Sequence, residues 1–299
     1  MRRGTYGGAS SCRRNDKVKV AVTGASGFVG TALVRSLRSA GDEVIAVPRG
    51  TADIGDAEAI VNLAGAPIAV RWTERRKREI FASRVEGTRR LVDAIARRSN
   101  PPRVLVSASA IGFYGDRGDE QLSEESTPGT DFLAGVVRDW ESAAAATHIR
   151  SVQLRFGIVL GRNGGALAKM LPPFRMGVGG RLGTGAQWMS WISLHDLVHM
   201  IRFAIDETVL SGPVNAVVPH AVTNAEFTAT LGRVLHRPAV VPIPAVALRA
   251  VFGEMAALTM LASQRVRPLR LEQAGFSFAH PSLEGALVHE FSARARGSG

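Results

Sequence analysis

The 299-residue chain is 45% hydrophobic and 21% charged, the composition of a folded globular protein with one large core or two smaller ones. Its lone cysteine, Cys12, excludes an intrachain disulfide, and nothing points to an oxidising compartment. Much of the formal net charge of +11 comes from Arg2, Arg3, Arg13, Arg14, Lys17 and Lys19 and from the stretch Arg71 to Arg103, with no nucleic-acid motif and no aromatic–basic interleaving, so no nucleic-acid partner is expected.

Residues 1–15 are rich in Gly, Ser and Arg and read as a disordered tail without the apolar core of a secretory signal, so a cytoplasmic location is expected. Lys17 to Thr23 is a short apolar run and reads as a buried parallel strand. The loop Gly24-Ala25-Ser26-Gly27-Phe28-Val29-Gly30 follows at once. Leu33, Val34 and Leu37 then recur at helical spacing up to Ala40, and Gly41 ends the helix. Glu43 to Val47, Ile60 to Leu63, Val104 to Ser107 and Val152 to Phe156 read as further strands. Thr73 to Arg98 reads as one long helix or two abutting ones, and Phe132 to Thr147 as another. Strands alternating with helices predict an α/β fold built on a Rossmann-type, doubly wound parallel sheet.

After Gly157 the pattern changes. Gly161 to Gly185 reads as loops with a short helix around Ala166 to Leu171. Within it, Gly177 to Gly185 has the composition of a mobile lid, with Arg181 placed to meet an anionic substrate. Trp191 to Ile205 reads as helical, and Pro238 to Pro244 opens a proline-punctuated region. The longest apolar stretch, about Ala245 to Ala262, is interrupted by Arg249 and Glu254 and reads as a packed helix, not a membrane span. Residues 16–160 with about 191–217 are expected to form the dinucleotide domain. About 161–190 with 218–299 are expected to form a smaller, interwoven C-terminal substrate domain.

A glycine loop between a strand and a helix has a mechanical use. The first glycine makes the tight turn, the second admits a pyrophosphate, and the third lets helix and strand pack closely. The helix N-terminus then offers unpaired N–H groups to the phosphates. An acidic residue at the end of the second strand selects NAD, whereas arginine suits the 2′-phosphate of NADP. The chain reads Val47-Pro48-Arg49 there, so NADP(H) is expected, with NAD the weaker alternative. Only about ten residues separate Val47 from the next strand. The usual third strand and its helix are nearly absent, unless Thr51 to Ile54 is a remnant.

The stretch Thr23 to Gly30 resembles the loop of extended short-chain dehydrogenase/reductases, and Asn62-Leu63-Ala64-Gly65 resembles their segment beside the cofactor ribose. Ser83 to Thr88, Ser107 to Gly115, Arg71-Trp72-Thr73, Arg138 to Glu141, Arg155 to Gly161, Gly164 to Leu167, Gln187 to Ile192 and Gly275 to Phe278 resemble one atypical branch. This is the epimerase-like family with an added C-terminal domain of unknown function, and the resemblance runs from about Lys17 to Leu287. It implies an NADP(H) site formed by Gly24, Ala25, Ser26, Gly27, Phe28, Val29, Gly30 and Arg49. It extends that site to Leu63, Ala64, Gly65, Arg84, Ser107, Ala108, Phe156 and Gly157. It also implies a small-molecule substrate and allows a homodimer paired through the long helices on one side of the sheet. Two departures are the shortened region after Arg49 and Ser193, where histidine is more usual in the family.

Short-chain dehydrogenases commonly pair a tyrosine with a lysine four residues on, on one helix face, so that lysine lowers the tyrosine pKa for proton transfer. The chain has two tyrosines, Tyr6 and Tyr114, and the residues four positions on are Ser10 and Gly118. On the helix that should carry the pair, Leu133 and Val137 stand at the two positions. Ser109 matches the family serine. One reading is an oxidoreductase or epimerase-like enzyme with Tyr114 as proton donor, Arg84 as electrophile and Ser109 as orienter. The others are an NADP(H)-binding sensor or regulatory partner without turnover, and an interaction protein with a vestigial cofactor site. Tyr114 also reads as a packing residue, and Arg84 as a helix-surface or phosphate-pairing arginine. Trp72, Trp188 and Trp191 read either as walls of a substrate cleft or as inter-domain packing. Asp196 reads as lying near a helix N-cap. No cluster has metal-ligand spacing, so no metal is expected.

Overall fold

The computed structural model describes residues 17–292, so the tail expected at 1–15 lies outside the described residues. Val20, Ala21 and Val22 of β1 (Lys19–Thr23) are fully buried, as a strand covered by helices on both faces requires. β1 leads through the glycine loop into α1 (Phe28–Ser39), whose Leu33 and Leu37 pack on the sheet. β2 (Glu43–Val47) and β3 (Ala59–Asn62) follow. α2 (Glu74–Phe81) starts at the Thr73 cap, whose side chain accepts from the Arg76 N–H. It then passes through a π-turn, Ala82–Glu86, straight into α3 (Gly87–Ala96). The predicted long helix is therefore one rod with a wide turn inserted, and Arg84 lies on that turn.

β4 (Val104–Ala110), the two-residue β5 (Gln121–Leu122), α4 (Phe132–Ala145) and β6 (Arg150–Phe156) complete the first half. The second half opens with β7 (Ile158–Gly161), α5 (Gly165–Arg175), β8 (Trp188–Met189), β9 (Trp191–Ser193) and α6 (Leu194–Asp206). It continues with β10 (Gly212–Ala216), β11 (Val222–Thr223), α7 (Asn224–Leu235) and α8 (Ala245–Phe252). It ends with β12 (Arg265–Val266), α9 (Leu269–Gln273) and α10 (Leu283–Ser292).

Six strands form one parallel sheet in the order β10-β6-β4-β3-β1-β2. The chain leaves β1 for β2 on one side and returns to β3 on the other, so the strand order reverses at β1/β3. Ligands of doubly wound folds bind outside the strand ends at such a point. The 48–58 link holds no strand or helix, so the Thr51 to Ile54 remnant is irregular chain. Its Ile54 and Ala57 turn inward and pack with Ile45 and Val47. β2 is thus the sheet edge. A second core gathers Leu160, Leu171, Trp191, Phe227, Leu283 and Leu287 from β7, α5, β9, α7 and α10. The parallel pair β5/β12 joins early and late chain.

Three local expectations are corrected. Trp191 to Ile205 is a strand followed by a helix, because Ser193 caps α6: its Oγ accepts from the Asp196 N–H at 2.9 Å. The short helix around Ala166 to Leu171 extends to Arg175 and contains Pro172 and Pro173. The apolar stretch from Ala245 breaks at Gly253 (φ 62°), and within α8 only Leu248 is buried, so this helix lies on the surface. Among the described residues no helix is long and apolar enough to cross a membrane.

Candidate functional site

The glycine loop sits at the switch point and is built by contact. Gly24 has φ 66°, and a Cβ there would lie 2.7 Å from the Leu63 carbonyl oxygen at the end of β3. A Cβ on Gly30 would overlap the Gly24 carbonyl oxygen, which already accepts from the Gly27 N–H at 2.9 Å. The N-cap of α1 is Gly27, no side chain caps the helix, and its first turn holds no acidic residue. Its N–H groups and partial positive charge therefore face the crevice. Ala25 and Val29 are half-buried, and Ser26 is exposed. The Phe28 ring is enclosed by Gly161, Gly164 and Gly165 in the β7–α5 turn. It locks the glycine loop to the second half of the chain.

A buried polar chain fixes the strand ends beneath the crevice. Thr23 Oγ1 donates to Asn62 Oδ1 at 2.7 Å, and Asn62 Nδ2 donates to Thr88 Oγ1 at 2.9 Å and Ser107 Oγ at 3.2 Å. The Leu63 and Ala64 amides both donate to Thr23 Oγ1 at 3.2 Å. Ser107 is fully buried and its side chain belongs to the wall beneath the crevice; Ala108 is buried beside it. Leu63, Ala64, Phe156 and Gly157 are half-exposed and Gly65 is exposed at the open ends of β3 and β6. Arg49 is exposed just beyond the end of β2.

Arg84 lies against Gly65, its guanidinium carbon 3.2 Å from where a Cβ would stand. It is also 5.3 Å from the Trp140 ring. Among the described residues its guanidinium makes one hydrogen bond, a long 3.4 Å contact to the Ile80 carbonyl. Burial lowers its pKa to about 10, so it remains a cation at neutral pH.

Ser109 and Tyr114 belong to one buried network. Ser109 Oγ donates to Glu141 Oε1 at 2.5 Å. Arg155 grips Glu141 with Nε at 2.7 Å and a terminal nitrogen at 2.8 Å. Its other terminal nitrogen donates to the Tyr114 hydroxyl at 2.9 Å, and that hydroxyl donates to Asn215 Oδ1 at 2.7 Å. Tyr114 is 0% exposed, and burial, partly opposed by Arg155, raises its pKa. With its hydroxyl buried and held by Arg155 and Asn215, Tyr114 matches the packing reading: it ties β10 to β6. Nothing in the spacing of Glu141, Arg155 and Asn215 announced this network.

Other expectations also change. Trp191 is fully buried, and Trp72 packs edge-on against Phe132 at 5.4 Å, so both are core residues. Trp188 lines a cavity of about 360 Å³, shared with His220, Arg265, Arg267 and Glu272 at the β5/β12 seam. Arg265 stacks on Trp188 at 4.4 Å, while Arg267 pairs with Glu272 at 2.9 Å. The Gly177 to Gly185 segment is not a free lid. Val241 N–H donates to the Gly179 carbonyl at 3.2 Å, Ile243 N–H to that of Arg181 at 2.9 Å, and Leu182 N–H to Asn224 Oδ1 at 2.8 Å. Arg181 itself is exposed. Asp196 is buried in the first turn of α6, three residues past the Ser193 cap, which gives Ser193 its structural reason.

Residues 20–217 match the NAD dependent epimerase/dehydratase family, and residues 243–290 match a domain of unknown function, DUF1731. The Mycobacterium tuberculosis epimerase family protein MT2273 is 42% identical over 290 residues, covering 90% of this chain and 96% of that protein. The human epimerase family protein SDR39U1 is 37% identical over 288 residues, covering 90% of this chain and 98% of its own length. The crystal structure of human SDR39U1 (isoform 2) with NADPH superposes with a TM-score of 0.88 at 36% identity, over 92% of this chain and 99% of that one. With this sheet order, this glycine loop and a C-terminal unit tied to β5, the chain belongs to the NAD dependent epimerase/dehydratase family, in the branch that carries DUF1731.

Proposed function

We propose that the chain binds NADP(H) at the β1/β3 switch point and transfers hydride to or from a polar small molecule, as an oxidoreductase or nucleotide-sugar-epimerase-like enzyme without a tyrosine–lysine pair. The observation that carries the cofactor reading is the crevice: an uncapped α1 N-terminus behind Gly24 to Gly30, with exposed Arg49 and no carboxylate at the end of β2. The NADPH in the human relative supports it. When bound, the nicotinamide supplies or accepts the hydride. The α1 amides hold the phosphates, Arg49 pairs with the 2′-phosphate, and Leu63 to Gly65 back the ribose. Arg84 is the half-buried cation at the rim of the crevice. Its charge polarises a substrate carbonyl and steadies the alkoxide that hydride delivery leaves, which takes its proton from solvent water. Ser109, held by Glu141, fixes the floor beside it. The Trp188–Arg265 cavity suits a substrate that carries negative charge and a flat group.

Titration with NADPH and NADH, followed by tryptophan fluorescence, tests the cofactor. Arg49→Ala is expected to weaken NADPH binding by about tenfold or more, the loss of one charge-assisted contact, and to leave NADH unchanged. Equal wild-type affinities for the two would remove the assignment. Arg84→Met is expected to leave NADPH affinity within about threefold while lowering kcat/KM by about 100-fold, the cost of one electrostatic donor. A collapse of NADPH binding would instead make Arg84 a cofactor ligand only. Burial of both the Ser109 and Tyr114 hydroxyls favours a second reading, an NADP(H) sensor or regulatory partner without turnover. Bound NADPH that no carbonyl substrate oxidises would support it.

A further inference from the structure

Four imidazoles meet where the C-terminal segment returns to the dinucleotide half. His195 and His199 lie one turn apart at the start of α6, His280 precedes α10, and His289 lies on α10. Ring centres are 4.1 Å apart for His195–His199, 5.2 Å for His195–His280, 5.7 Å for His195–His289 and 4.2 Å for His280–His289. The nearest carboxylate is Asp196, whose Oδ1 lies 3.9 Å from His195 Nδ1. That carboxylate is already engaged by the Ser193 hydroxyl at 2.9 Å and by the amides of Ala279 at 2.7 Å and His280 at 3.0 Å. Of the other charged groups on the two helices, Arg202 of α6 pairs with Asp206 at 2.6 Å and with Asp42. Glu290 accepts from the Arg162 amide at 3.2 Å, and Glu284 pairs with Arg233 at 2.7 Å. His195 Nδ1 is buried with no hydrogen-bond partner. Among the described residues no three His, Cys, Asp or Glu side chains are arranged to hold a metal ion.

We propose that this cluster is a proton-operated latch: the rings pack as neutral groups that hold residues 279–280 and α10 on α6, and proton uptake in mildly acid solution crowds like charges together and loosens α10. Like charges at these separations repel, and the one nearby carboxylate is spoken for. Burial, and next the neighbouring His199, lower the pKa of His195 from 6.5, and the opposing pull of Asp196 does not restore it. The sign follows. The docked state binds fewer protons than the undocked one, so docking is at full strength above pH 6.5 and weakens as pH falls through the lowered value. Because Leu283, Ala286 and Leu287 of α10 plug the second core, the loosening is felt at α5 and α7 and not in the parallel sheet.

Hydrogen exchange on the full chain, corrected for intrinsic rates, reads this directly. Between about pH 7.5 and 5.5, α10 amides are expected to lose protection about tenfold more than β1 and β4 amides, since each tenfold fall in one ring's proton affinity is a tenfold bias. Parallel loss in all three elements would overturn the latch. The His280→Gln/His289→Gln double variant is expected to flatten the difference to within about twofold, and an unchanged pH response overturns it. Should that variant fail to fold, an NMR titration of the wild-type imidazoles decides: coupled titration is expected, and four independent rings at the ordinary value overturn the proposal. Zinc ions that protect α10 in the wild type but not in the double variant would make the cluster a metal site instead, and the latch would fall.

Discussion

Glu141→Ala is expected to destabilise the protein by about 3–5 kcal/mol, the cost of removing one partner from a buried ion pair. This should appear as a fall in Tm of roughly 10 °C. Arg155 and Glu141 are 2% and 9% exposed, so water cannot replace what the substitution removes. Burial by itself would lower the Arg155 pKa, but Glu141 and Tyr114 together outweigh it and the net direction is up. Arginine keeps its proton at neutral pH even without a partner, so the guanidinium, 3.5 Å from the Phe113 ring centre, is left as an unpaired buried charge. The Ser109 hydroxyl loses its acceptor in the same step. Replacing both partners at once, Glu141→Leu with Arg155→Met, is expected to recover most of the loss, because two matched apolar groups leave no orphaned charge. Denaturant unfolding measures all three proteins. A loss below about 1 kcal/mol for Glu141→Ala would mean that the pair behaves as a surface bridge, and the network would not be the clamp described here.

Gly30→Ala is expected to raise the NADPH dissociation constant by about 100-fold or more while the chain still folds. The added methyl overlaps the Gly24 carbonyl oxygen. That oxygen cannot retreat freely. It holds the Gly27 amide at 2.9 Å, and on the other side Gly24 sits so close to Leu63 that a Cβ would come within 2.7 Å of its carbonyl. The loop must move as a unit, and the α1 amides move with it. A factor of about 100 is about 2.7 kcal/mol, the worth of one or two hydrogen bonds to a charged phosphate. Calorimetric titration with NADPH, with circular dichroism as the folding control, provides the check. Wild-type affinity in a folded Gly30→Ala protein would place the phosphates elsewhere.

The parts of the molecule legible in the sequence are those set by neighbours along the chain. The run Val18 to Val22, the glycine loop and Leu33/Leu37 report strand, turn and helix because each depends on contacts within a few residues or on burial from both faces. The brevity of the 48–58 link was countable, and the sheet order shows no strand beyond β2. What could not be read depends on distant partners. Tyr114 looks available until Asn215, 101 residues away, takes its hydroxyl. Gly177 to Gly185 has a lid's composition, yet residues 241–243 stitch it down. Trp191 has helical company in the sequence and becomes a strand because Ile158 pairs beside it. The imidazole cluster shows only its i, i+4 half, His195 and His199, since His280 and His289 arrive with the C-terminal helix.

The sheet that ends at β2 also has a colloidal consequence. Among the described residues nothing pairs with the outer edge of β2, so its backbone offers a rim on which another extended chain can add. Three modest features discourage that. The strand is only five residues long, Glu43 at its start bears a charge that Lys19 meets at 3.2 Å, and Pro48 follows its last residue and has no N–H to donate. The lost third strand thus leaves self-association at high concentration to be restrained by two side chains, Glu43 and Pro48, that no assay of cofactor binding would single out.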